Sequence, residues 1–196
     1  ARGGRWRPRR ALADAGRRVL LVDLDPQAHA TVGCGVREEE VELSTWHVLT
    51  GEDSGSGPIG LADVAWEIFE RFYLAPSGVR LAALEQSLAG TDGREQRLAR
   101  LLERAHGRYD AVLVDCGPGL GILTMNALVA AGEVIVPVDL GFFSVYGLGR
   151  VLETLDLLRE RTGRAPAAGI LAIMYDVRAR SVRRRLAALR ERHAAR

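Results

Sequence analysis

The chain of 196 residues reads as an α/β protein with a mostly parallel sheet flanked by helices, and three observations predict it. Val19-Leu20-Leu21-Val22 is an apolar run that ends in Asp23-Leu24-Asp25 and then Pro26. A strand with no polar alternation is one buried on both faces, the pattern of parallel sheets covered by helices. Ala111-Val112-Leu113-Val114-Asp115 repeats the design and turns on Gly117 and Pro118. Finally, Leu148, Leu152, Leu155 and Leu158 recur at helical spacing within 145–161, giving a helix with one apolar face.

Taken in order, the elements alternate as that class requires. After the strand at 19–23, residues 28–35 are small and include Thr31 and two glycines. Ser44 is placed to cap a short helix that Gly51 stops. The Gly- and Ser-rich 53–60 stretch reads as a loop. Residues 66–72 are apolar-rich and lead into a strand at 73–75, ended by Pro76 and Gly78. Leu81, Leu84 and Leu88 have helical spacing, and Leu98, Leu101 and Leu102 mark one face of a further helix. Strands are expected at 109–115, 133–137 and 169–174, with a helix from Arg178 to Arg196. One domain is expected over 1–196, incomplete at both ends: the chain starts on Ala1, and nothing before Gly3 can supply a leading strand.

Composition narrows the function classes. All 27 basic residues other than histidine are arginine, and the net charge is +2. Arginine is dense in the first eighteen residues and again from Arg159 to Arg196, which points to a polyanionic partner, nucleic acid or lipid surface, or to solvated helix faces. Two cysteines, Cys34 and Cys116, are too few for a disulfide framework and lack metal-ligand spacing. No apolar run approaches the roughly 20 residues of a membrane span, and no export signal is evident, so a cytoplasmic protein is expected.

Carboxylates at two strand ends suggest a magnesium-phosphate site, because open α/β sheets bind ligands at that edge. Around these acids, Gly16-Arg17-Arg18 with VLLVDLDPQ, then YDAVLVDCGPGLGILTMNALVAAGEVIVPV, resembles the ParA branch of the deviant P-loop ATPases. The likeness runs on through Phe142 to Leu148 and Gly169 to Asp176, in the family's order. It implies ATP and magnesium as cofactors, a homodimer formed on ATP binding, non-specific DNA and a ParB-like protein as partners, and work on the nucleoid in chromosome or plasmid partitioning.

Residue by residue, the resemblance implies that Asp25 orients or activates the attacking water and that Asp115 holds magnesium through water. Asp23 either supports the site from behind or caps the turn before Pro26. Gly3 and Gly4 would offer phosphate-binding N–H groups, Arg7 stands where the phosphate-loop lysine belongs, and Arg2 where the lysine reaching across the dimer belongs. Gly117, Gly119 and Gly121 resemble the switch that senses the terminal phosphate. Arg178, Arg180, Arg183, Arg184 and Arg185 are the expected DNA contacts, tracking phosphates by charge alone.

The phosphate loop departs from the pattern. Trp6 stands for its second glycine, and a non-glycine forced left-handed costs about 1–2 kcal/mol. Pro8 stands for the hydroxyl residue and lacks an N–H, at roughly 1.5–3 kcal/mol for a lost charge-assisted hydrogen bond. Together these predict nucleotide affinity lower by about two to four decades. A deletion, a shifted frame and a wrongly assigned start are equally compatible with this sequence. Two other readings stand beside the ATPase: a non-catalytic module that binds DNA or a partner, and a MinD-like ATPase on a membrane surface. For the latter, Val182, Leu186 and Leu189 make a thin apolar stripe.

Overall fold

The computed structural model describes residues 7–53, 55, 57–140, 142–176 and 178–192, which fall into two compact units, 1–130 and 131–196. Helix α1 (Arg7–Asp14) leads into strand β1 (Val19–Asp23), every residue of which is buried. Next come α2 (His29–Gly33), α3 (Thr45–Thr50) and the single turn α4 (Leu61–Val64). A hairpin follows, β2 (Trp66–Phe69) and β3 (Phe72–Ala75), then α5 (Leu84–Ser87), α6 (Arg97–Arg104), β4 (Ala111–Asp115) and α7 (Ile122–Ala130).

The sheet of this first unit runs β2-β3-β1-β4. Strand β1 lies parallel to both β3 and β4, pairing Val19 with Phe72 on one side and with Ala111 on the other. Its apolar residues serve two cores by alternation. Leu20, Val22 and Leu24 pack with Trp46, Leu49, Leu81, Leu84 and Leu98, whereas Val19 and Leu21 pack with Ala13, Ala30, Phe72 and Leu74. Each such buried Leu or Val contributes about 1.5–3 kcal/mol. A charge in place of Leu20, Leu21 or Val22 would therefore remove the strand from which both cores are built.

The 66–72 stretch, expected as one apolar lead into a strand, is split by a tight reversal at Glu70-Arg71 into antiparallel β2 and β3. Arg71 takes the left-handed conformation there, at φ 64, in a turn that has neither Gly nor Asn to announce it. Phe69 and Phe72 stack across the hairpin, ring centroids 4.6 Å apart, and this packing holds the strained residue in place. The short helix after Ser44 forms as expected. The Ser44 N–H donates to His47 Nδ1 at 3.0 Å, and Gly51 ends the helix at φ 77.

The second unit is a parallel pair, β5 (Glu133–Val138) and β6 (Ala167–Ala172), joined through α8 (Phe142–Thr162) and followed by α9 (Arg180–Arg192). The spacing of Leu148, Leu152, Leu155 and Leu158 has the predicted consequence, since all four are buried. Strand β6 starts at Ala167, two residues before the expected Gly169, because its register follows Glu133 at the start of β5. Among the described residues no helix is long and apolar enough to cross a membrane.

Asn126, fully buried in α7, ties that helix to the start of α6. Its Oδ1 accepts from the Leu98 N–H at 3.1 Å, while Nδ2 donates to Arg94 O and Ile122 O, both at 2.9 Å. Asn126→Ala leaves the Leu98 N–H without its acceptor in the apolar core, so urea denaturation should show a loss of about 2–4 kcal/mol.

Candidate functional site at the carboxyl edge of the sheet

Strands β1 and β4 end side by side on acids. Asp23 pairs with Asp115 in the parallel register, and the Leu24 N–H donates to Asp115 O at 2.8 Å. Asp25 follows two residues beyond Asp23, so all three carboxylates belong to one edge of one sheet. The surroundings of Cys116 record the same convergence, for its thiol feels Asp115, Asp23 and Asp25 together.

Asp23 is completely buried, and donors meet both of its oxygens. Oδ1 accepts the Asp25 N–H at 3.0 Å, and Oδ2 accepts the N–H and the hydroxyl of Thr31, each at 2.8 Å. The Thr31 hydroxyl in turn accepts the Ser77 N–H at 3.0 Å. The Ser77 hydroxyl donates to Asp25 O at 2.6 Å, and the Thr45 hydroxyl donates to Asp23 O at 3.1 Å. Residue Asp25 is thereby held at both ends of its backbone, by the Asp23 carboxylate on its N–H and by Ser77 on its carbonyl. Sequence reasoning missed Ser77 and Thr45 and saw Thr31 as one of several small residues. Their work depends on neighbours 22 to 52 positions away, so no local spacing could reveal it.

The Asp25 carboxylate points at the loop after β4. A Cβ added to Gly117 would sit 3.1 Å from Asp25 Oδ1, so a side chain there would press on the Asp25 carboxylate. Asp25 Oδ1 also accepts the Gln27 N–H at 3.0 Å, and His29 Nδ1 lies 4.0 Å from Oδ2 on an exposed ring. Between the two loops lies a cleft of about 400 Å³, lined by Leu24 to Gln27, by Leu81, Ala82 and Glu85, and by Gly117 to Gly119 and Gly121 to Thr124. The amino end of α7 opens onto it, where the Thr124 hydroxyl donates to Gly119 O. A carboxylate, a glycine loop and a helix amino terminus around one cleft suit a ligand that carries both a cation and an anion.

Other predicted residues lie elsewhere. Arg2, Gly3 and Gly4 fall outside the described residues, and Arg7 is the first residue of α1. In the second unit, Arg178 closes a fork on the Asp176 carboxylate, with Nη2 to Oδ2 at 3.0 Å, and Arg185 Nη1 donates to Leu140 O at 2.8 Å. Arg180, Arg183 and Arg184 are exposed. Among the described residues no three His, Cys, Asp or Glu side chains cluster as a metal cage.

Burial raises the Asp23 carboxyl above its ordinary value of 3.8, while its bonds from Thr31 and Asp25 lower it and the Asp115 charge raises it. A carboxyl raised by folding contributes stability that is full below its unfolded pKa and is lost as pH climbs through the folded value. The stability of the native chain relative to Asp23→Asn should therefore be greatest near pH 3 to 4 and shrink toward neutrality in urea melts. Asp23→Ala should cost about 3–5 kcal/mol, since it strands the N–H and hydroxyl of buried Thr31 and the half-buried Asp25 N–H. Burial likewise pushes the Cys116 thiol up to about 12, helped by the neighbouring acids. Its alkylation by iodoacetamide at about pH 8 should run roughly a hundredfold or more below that of a free thiol.

Residues 9–165 match a family model described as an AAA domain, AAA_31. An uncharacterized protein of Mycobacterium tuberculosis is 39% identical over 184 residues, covering 93% of this chain and 56% of its own. The chromosome partitioning protein ParA of Caulobacter vibrioides is 37% identical over 171 residues, covering 86% of this chain and 62% of its own. The chain thus spans a little over half the length of these curated relatives. The crystal structure of cobyrinic acid a,c-diamide synthase from Mycobacterium smegmatis, with bound ADP and magnesium, superposes at a TM-score of 0.84. It is 35% identical, over 93% of this chain and 73% of that one. With its paired acidic strand ends, its glycine loop and these relatives, the chain belongs to the ParA/MinD-like family of P-loop ATPases.

Proposed function

We propose that this chain carries the catalytic edge of a ParA-type ATPase that acts in chromosome or plasmid partitioning, through ATP-dependent homodimerisation and non-specific DNA binding. The observation that carries the reading is the fixed backbone of Asp25, two residues beyond the end of β1, next to the strand that ends on Asp115. Magnesium takes oxygen ligands, keeps several waters and needs only one or two carboxylates, so these acids fit it without a closed cage. Magnesium-ATP, when bound, supplies the phosphoryl group and neutralises its charge.

The chain's own residues do the rest. Asp25, anchored through Asp23 and Ser77, accepts a hydrogen bond from the attacking water at its carboxylate and orients it toward the phosphate. Asp115 holds the cation's water shell. The 117–121 loop moves with the terminal phosphate, Gly3 and Gly4 donate N–H groups to phosphates, Arg7 adds charge there, and Arg2 serves the partner copy. Arg178, Arg180, Arg183, Arg184 and Arg185 meet DNA phosphates, a ParB-like protein sets the pace of release, and the protein works at the nucleoid.

Trp6, Arg7 and Pro8 favour a second reading, a module that binds DNA or a partition partner without turnover. Calorimetry of the chain with ATP and magnesium, alongside phosphate release in the presence of duplex DNA, separates the two. The ATPase reading expects measurable nucleotide binding and turnover. It also expects that Asp25→Ala lowers turnover by about 10²–10⁴ while changing nucleotide affinity less than about threefold. DNA binding with no nucleotide binding at millimolar ATP would leave the second reading standing.

A further inference from the structure

The opposite edge of the first unit's sheet carries a feature that the site above does not use. Three parallel strands, in the order β3-β1-β4, begin there in register, and arginine precedes each of them. Arg71 stands immediately before β3, Arg17 and Arg18 before β1, and Arg108 three residues before β4. Neighbouring strands lie about 4.8 Å apart, so the arginines form a row roughly 10 Å long across the sheet's amino edge. The strand order makes this row; in the sequence its members are 91 positions apart at the extremes, from Arg17 to Arg108.

Two of the guanidinium groups are mounted on backbone. Arg18 Nη2 donates to Gly107 O at 2.9 Å, and Arg71 Nη1 donates to Gly16 O at 3.0 Å. Both side chains remain about half exposed, at 46% and 50%. Arg108 lies between Gly107, which Arg18 touches, and Asp110, whose Oδ2 accepts the Arg18 N–H at 2.7 Å. Asp110 senses three of the four: the backbone bond from Arg18 first, then the charges of Arg18, Arg17 and Arg71, hold its carboxyl below the usual range. Among the described residues, Asp110 pairs with Arg18 and Glu70 with Arg71. Arg17 and Arg108 are exposed, and among the described residues neither makes a side-chain hydrogen bond.

We propose that this amino-edge row, Arg17, Arg18, Arg71 and Arg108, is a second nucleic-acid contact surface, one that grips the phosphate backbone of a duplex. Guanidinium forks match phosphate oxygens, and fixing them in advance lowers the entropy cost of meeting a rigid, regularly spaced polyanion. A fluid lipid headgroup layer gains little from that fixity. The surface extends the DNA-binding part of the proposed function and rests on it, but not on nucleotide turnover.

The test is fluorescence anisotropy of the full chain with a labelled duplex of about 24 base pairs over a salt series, comparing R17Q/R108Q with the tail variant R180Q/R183Q/R184Q. R17Q/R108Q should weaken binding about tenfold near 100 mM salt and lower the slope of log affinity against log salt by about 1.8, without altering the circular dichroism spectrum. Should the double variant misfold, R17Q and R108Q singly should each lower the slope by about 0.9. Unchanged affinity and slope in these variants, with binding lost in the tail variant, would overturn the amino-edge surface alone. No binding by the native chain would overturn both it and the DNA part of the proposed function. Vesicles of phosphatidylglycerol form the last arm: a variant that loses vesicle binding and keeps duplex binding also sinks the proposal.

Discussion

A single buried carboxylate organises the carboxyl edge of this protein. Asp23 has no access to water, and burial disfavours its charge. It is tolerated because the Asp25 and Thr31 backbones and the Thr31 hydroxyl converge on its two oxygens. Satisfying that carboxylate forces the chain after β1 to curl back, bringing Thr31 within reach of Ser77 and placing Ser77 against the carbonyl of Asp25. The loop that presents Asp25 is therefore shaped by the needs of its neighbour. Few arrangements of this segment satisfy the buried group, and the ones that do keep Asp25 still.

That constraint also explains the division of labour among three acids of similar sequence context. The oxygens of Asp23 are met by protein donors, so it has little left to offer a ligand. Asp25 takes one backbone N–H on Oδ1 and faces the cleft beside Gly117. Asp115 ends the neighbouring strand, where its carbonyl continues the pairing with β1. Strand β1 stops at Asp23, and the turn after it carries Asp25 out to the cleft while Asp23 stays buried, so environment sets their roles.

The two edges of the sheet differ in kind. At the carboxyl edge, acids meet glycines and a helix amino terminus, a setting for chemistry on small charged ligands. At the amino edge, arginines precede three parallel strands and meet backbone carbonyls, a setting for a rigid polyanion. Parallel pairing is what separates them, because it sends every strand's beginning to one side and every end to the other.

Much of this was legible in the residues alone. The unbroken apolar run of β1 announced a strand buried on both faces, the Asp-Leu-Asp-Pro ending located the edge, Gly51 stopped its helix, and the four leucines of α8 faced inward as their spacing required. These are local rules of period, turn chemistry and burial, and a short window of sequence contains them. The tertiary structure alone decided the hairpin at Glu70-Arg71, whose left-handed arginine is held by a stacked aromatic pair, and the start of β6, set by its partner strand. It alone brought Ser77 to Asp25 and lined four distant arginines along one edge. Each of these depends on which strands lie side by side, and pairing over such distances leaves no periodic trace in the chain.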